Sequence, residues 1–129
     1  MPLGKASKLK LATCHPDLQR FAEELSAGID RGECDGVRDI MILCGYRGQK
    51  EQEEAFEKGT SKLRWPHSKH NHLPSQAVDI APYPVEWNNI KAFEQLREYA
   101  LKVADRVGVK LRIIPWDMPH FELAEGLPH

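Results

Sequence analysis

Disulfide chemistry is the first thing this chain lacks: Cys14, Cys34 and Cys44 are odd in number, and no two of them form a CxxC pair. A cross-linked framework is excluded, and the three read as reduced, mostly buried thiols. Long apolar runs are also missing, so no membrane insertion is expected. The N-terminus, "MPLGKASKLKLATCHP", carries Lys5, Lys8 and Lys10 but not the apolar centre of a secretory signal. Cytoplasmic synthesis is therefore expected, with any action outside the cell following release by another route. Charge of one sign is not in excess: 18 Lys and Arg against 19 Asp and Glu leave a formal net charge of -1, which argues against a broad footprint for nucleic acid. There is no internal repeat, no low-complexity linker and no phosphate-cradling glycine motif. At 129 residues the chain can bury a core without staples, and one domain over 1–129 is expected, with 1–14 as an N-terminal extension.

What is present alternates between helical and extended patterns. "PDLQRFAEELSAGIDR" starts with a proline suited to a first helical turn and sets Leu18, Phe21, Ala22, Leu25 and Ile29 on one stripe, predicting a helix over 16–31. "RDIMILCGY" predicts a buried strand that delivers Gly45, Tyr46 and Arg47 at its end. Residues 49–58 have helix-forming composition, stop at Gly59 and are largely solvated. Pro, Ser, His and Asn dominate 60–76, a long loop of the kind that carries function. "AVDIAPYP" predicts a short strand, and apolar spacing through Ile90, Phe93, Leu96, Ala100, Val103 and Val107 predicts a helix over 88–107. "VKLRII" and, after a turn at "PWDMP", "HFELA" read as two last strands. Interspersed helices and strands with short connections indicate an α+β domain, a small antiparallel sheet with helices packed on it.

The chemistry concentrates in two places. His67, His70 and His72 fall within six residues, followed by Asp79 between Val78 and Ile80. A bare carboxylate there is costly unless a cation or hydrogen-bond donors compensate it. In "WDMPHFEL", Asp117 stands three residues before His120. Zinc hydrolases take three protein ligands from such residue types and leave a fourth position for water, whose proton a nearby carboxylate can accept. The residues therefore outline a His/Asp/His metal site with Asp117 as its base. The alternatives are a strand-edge ion pair for Asp79, an Asx turn for Asp117 and an ordinary surface or core role for His120. No nucleophilic Ser or Cys arrangement competes.

Three motifs in fixed order, "GYRGQKEQ", "SKH" followed by "AVD", and "DMPHFEL", run over nearly the whole chain from His15 to Leu123. Together they resemble the M15 peptidases, zinc enzymes of the DD-peptidase and hedgehog fold. "HPDLQ" and "AVDIAPYP" are similar to the short phage and prophage members that act as endolysins. The resemblance implies a zinc peptidase acting on the stem peptides of bacterial peptidoglycan, and a monomer is expected. The L-alanyl-D-glutamate bond is favoured and a D-alanyl-D-alanine bond is the alternative; a non-catalytic, zinc-stabilised binding module of the same fold is a further one. By position, it implies His70, Asp79 and His120 as Zn²⁺ ligands, Asp117 as catalytic acid/base, and Arg47 near the reacting carbonyl, with Arg47, Gln52 and Ser68 as substrate contacts.

Two departures accompany the resemblance. Many relatives place the ligand histidine seven positions before the aspartate, which fits His72, whereas His70 lies nine before it. The serine two residues ahead favours His70, leaving His72 as the alternative and His67 as a surface residue. Longer relatives also carry a Trp- and Gly-rich insertion before the last motif, where this chain runs directly through "RIIPW". A shorter cleft wall is expected on that side.

Overall fold

The computed structural model describes residues 2–124. In chain order the elements are α1 (Lys5–Leu11), α2 (Pro16–Asp30), β1 (Ile40–Cys44), α3 (Gln49–Glu57), β2 (Ala77–Pro82), α4 (Ile90–Val107), β3 (Leu111–Ile114) and β4 (Asp117–Leu123), with a single 3-10 turn at Lys69–Asn71. The unit expected over 1–129 also takes in Met1 and 125–129, which lie outside the described residues.

Both long helices are bounded by side chains the sequence supplies for the purpose. His15 caps α2 by accepting the Asp17 N–H at 3.0 Å, with Pro16 in the first turn. Asn89 caps α4 by accepting the Ala92 N–H at 3.2 Å, and Gly108 ends it in the left-handed conformation, φ 73°. Their apolar stripes, including Leu18, Phe21 and Leu25 from α2 and Leu96, Ala100 and Val103 from α4, are buried together against one face of the sheet.

The four strands lie in the order β1-β2-β4-β3, each neighbour antiparallel. Because strand side chains alternate between faces, Val78, Ile80, Phe121 and Leu123 enter the core while Asp79, His120 and Glu122 point to the opposite face. On β1 the alternation is interrupted. Ile40 and Ile42 are core residues, but the register shifts between Ile42 and Cys44, so that Cys44 comes opposite Asp79. This bulge turns Cys44 away from the core side.

Two elements differ from the sequence reading. The segment expected as an extension forms α1, which packs on β1; Leu3 and Leu11 join the core, and Ser7 Oγ accepts the Ile42 N–H at 3.0 Å. Seven residues rich in lysine carry little helical signal, because so short a helix depends on docking. β4 begins at Asp117, in the stretch read as a turn. Ile113 pairs with Phe121 and Ile114 with Asp117, so residues 118–120 loop out of the β3 ladder and Pro119 is accommodated.

Candidate metal centre

Strand register builds three-quarters of the site. Cys44 pairs with Asp79 across β1 and β2, and Asp79 with His120 across β2 and β4, which sets the three side chains in a row on the face away from the core. His70 comes from the long loop. Ser68 caps the 3-10 turn, its Oγ accepting the His70 N–H at 3.2 Å while Asn71 Oδ1 accepts the Ser68 N–H at 3.0 Å. The turn swings His70 over the row, where it is buried. The structure thus brings His70, not His72, against Asp79 and His120; His72 follows as the C-cap residue of the turn, and His67 is exposed.

The hydrogen bonds fix which ring nitrogens face inward. His70 Nδ1 lies 2.7 Å from the Gly45 carbonyl, and His120 Nε2 lies 2.8 Å from Glu122 Oε1, so each of these nitrogens is a donor. The remaining atoms, His70 Nε2, His120 Nδ1 and Asp79 Oδ1, then converge at 3.1, 3.2 and 3.2 Å from one another. Three such atoms so close are held together either by a proton on an imidazole or by a metal ion between them. A tetrahedral ion with bonds of about 2.0–2.1 Å separates its donors by about 3.3 Å, which this triangle matches. Burial lowers the His70 pKa, but the Asp79 carboxylate outweighs it and the imidazole is pushed up to about 10. Burial raises Asp79, yet the two imidazoles hold it well below the usual carboxylate range. His120 is likewise raised against the effect of burial by its bonds to Asp79 and Glu122.

Around this triangle stand charged and polar groups with separate tasks. Arg47 directs one guanidinium nitrogen to within 3.6 Å of Asp79 Oδ2 and another to Gln52 Oε1 at 3.1 Å, rather than to the glutamates of α3. The resemblance placed Gln52 at the site either as a substrate contact or as a brace. It is wholly buried and spends its amide on Arg47, Asn71, Ser61 and the Leu63 carbonyl, so its work is to hold the loop and Arg47 in place. Ser68, also expected at the substrate, is buried as the cap of the histidine turn. Asp117 lies on the open side: its side chain is 39% exposed and its Oδ2 is 3.8 Å from His120 Nδ1. Burial, followed by the negative charge of Asp79, raises its pKa.

Two participants escaped the sequence reading. Glu122 is buried between His120 and Lys69, whose Nζ is 3.2 Å from Oε2, and it orients the imidazole from behind. The signal was available: His-x-Glu on a strand puts both side chains on one face. Cys44 was read as a reduced, mostly buried thiol, with a metal or redox role as the lesser alternative. It forms with His70 and Asp79 a group of candidate metal donors whose ligand atoms lie within 4.8 Å of one another. Burial raises the thiol pKa, but His70 and Arg47 bring it below the ordinary value.

Comparison with known proteins gives the chain a family and a fold. A family model described as phage L-alanyl-D-glutamate peptidase matches residues 1–123. The L-alanyl-D-glutamate peptidase of Escherichia phage T5 is 33% identical over 115 residues, covering 84% of this chain and 76% of that protein. Among solved structures, the Serratia marcescens L-Ala D-Glu endopeptidase ChiX superposes with a TM-score of 0.71 at 24% identity, over 95% of this chain and 90% of that one. That likeness is one of fold: the small antiparallel sheet with packed helices is shared.

Proposed function

Since the chain belongs to the phage L-alanyl-D-glutamate peptidase family, we propose that it hydrolyses the L-alanyl-D-glutamate bond of peptidoglycan stem peptides as an endolysin, with His70, Asp79 and His120 holding Zn²⁺. The observation that carries the reading is the triangle of inward-facing donors, backed by Glu122 and the Gly45 carbonyl and open toward Asp117. Two imidazoles and a carboxylate suit zinc, whereas magnesium and calcium prefer all-oxygen shells. Zinc held there supplies a Lewis acid that polarises the scissile carbonyl and acidifies water toward a pKa of about 7.

The protein's own groups then divide the proton and charge work. Asp117, raised in pKa and exposed beside His120, accepts a proton from the attacking water and returns it to the amine of the departing D-glutamyl residue. Arg47, held by Gln52, offers fixed donors to the negative charge that develops on the carbonyl oxygen or to a substrate carboxylate. Gln52 and Ser68 act through Arg47 and His70 and do not touch the substrate. In this reading the residues from 47 to 122 act as one catalytic unit, which reaches the wall after release from the cytoplasm.

Mass spectrometry of purified sacculi after digestion tests the reading. New L-alanyl carboxyl and D-glutamyl amino termini are expected. Release of terminal D-alanine alone would assign the protein to the carboxypeptidases, and zinc-loaded protein that binds sacculi without products would make it a binding module. Asp117→Ala should keep its zinc and lose hydrolysis by about 10²–10⁴-fold. An unaltered rate removes Asp117 from the mechanism.

A further inference from the structure

The turn that leads into Asp117 carries more than the base. β3 ends at Ile114 and β4 begins at Asp117, so the connection is Pro115 and Trp116 alone. Arg97 of α4 fixes it, donating to the Ile114 carbonyl at 2.9 Å and to the Pro115 carbonyl at 3.4 Å. The Trp116 indole is nonetheless 68% exposed, and over its ring stands Lys62, with Nζ 4.6 Å from the centroid. Lys62 comes from the other flank of the site: the neighbouring Leu63 carbonyl accepts a hydrogen bond from the Gln52 amide at 2.6 Å, and the same Gln52 holds Arg47. The pair therefore joins the loop behind Arg47 to the turn beside Asp117. Its charge is also uncommitted. Arg47, Arg64, Lys69 and Arg112 each face a carboxylate, whereas none pairs with Lys62 among the described residues.

Resting on the peptidase reading above, we infer that Lys62, steadied by Trp116, binds the free carboxylate of the D-glutamyl residue on the leaving side of the scissile bond. Glutamate has two carboxyl groups, and a linear stem continues through only one of them, so the other is available as an anion. Asp117 returns its proton to the amine of that same residue, which brings the carboxylate to the side of the cleft where Trp116 and Lys62 stand. Asp79 and Asp117 already place two carboxyl groups there, and a third needs a countercharge. Arg47 is directed at Asp79 and Gln52, which leaves the substrate carboxylate to Lys62 and the carbonyl oxygen to Arg47. The ring holds the ammonium in place before substrate arrives, so less side-chain freedom is lost on binding.

Two purified muropeptides that differ only at that carboxyl, free acid in one and carboxamide in the other, test the assignment on the full-length, zinc-loaded protein. Wild type should cleave the acid with a kcat/KM about tenfold or more above that for the amide, the difference lying in KM. Lys62→Met, which keeps the aliphatic stem and removes the charge, should erase the preference, and Lys62→Arg should keep it. Trp116→Leu should narrow it by about two- to fivefold. Both side chains are exposed, so the variants should fold, which circular dichroism and zinc content check. Wild type that cleaves the two muropeptides equally, or Lys62→Met protein that keeps the preference, overturns the Lys62 assignment and leaves the peptidase standing. A full preference in Trp116→Leu removes the ring from the assignment. Wild type that cleaves neither muropeptide overturns both the assignment and the reading beneath it.

Discussion

At the scale of single residues, the site is a set of acceptors kept in tautomeric order by partners behind them. Glu122 illustrates this. Replacing it with Gln preserves shape but removes the charge that aligns His120 and pairs with Lys69. Zinc affinity should fall by about 10–100-fold, read by competition with a chromogenic chelator. Undiminished affinity would show that His120 needs no such support. That Asp79 and a loop histidine belong together was legible in the sequence because their chemistry is unusual for their surroundings: Asp79 in an apolar strand, and histidines crowded in a loop. Glu122 was legible only in part: its place two residues after His120 puts both on one strand face, but its burial beside Lys69 depends on a loop distant in sequence.

At the scale of elements, precision comes from how β1, α1 and the long loop meet. Gly45 sits where no side chain fits: a Cβ there would collide with the Lys10 carbonyl and the Thr13 hydroxyl at the end of α1. Its carbonyl receives His70 Nδ1 as well as the Ser75 hydroxyl. Gly45→Ala should cost about 1–3 kcal/mol by overpacking and weaken zinc binding at the same time. Thermal melts and chelator competition on one sample check the coupling, and a stability loss with intact zinc affinity would disprove it. Gln52→Ala leaves the Arg47 guanidinium and the Asn71 amide without their shared acceptor, for a loss of about 1–3 kcal/mol. Hydrolysis should fall with zinc still bound, whereas an unchanged rate would show that Arg47 holds its position alone. Periodicity foretold α2 and α4 because their stripes are long and well capped. It could not foretell the β1 bulge or α1. One is a matter of register between strands distant in sequence, and the other is a short helix stabilised by the sheet edge it covers.

At the scale of the whole molecule, protons and metal compete for the same triangle, and the sign of that competition can be worked out. Without metal, the His70 pKa is raised from 6.5 to about 10 by Asp79. The stability it contributes is fully present below about pH 6.5 and is lost as pH rises through about 10. The depressed Asp79 contributes stability above its ordinary value of 3.8, and that contribution is lost as pH falls through its lowered folded value. The metal-free protein therefore loses stability on the alkaline side. Zinc requires His70 deprotonated at Nε2, so binding at neutral pH expels a proton, and each pH unit in this window favours the metal form by about 1.4 kcal/mol. Zinc at 100 times its dissociation constant adds about 2.7 kcal/mol to the folded state. The melting-temperature gap between zinc-loaded and chelated protein should accordingly widen from about pH 6 to about pH 9 at fixed free zinc. A gap that stays constant or narrows would mean that His70 enters the site already neutral, and that the imidazolium–carboxylate pair does not hold the empty site together.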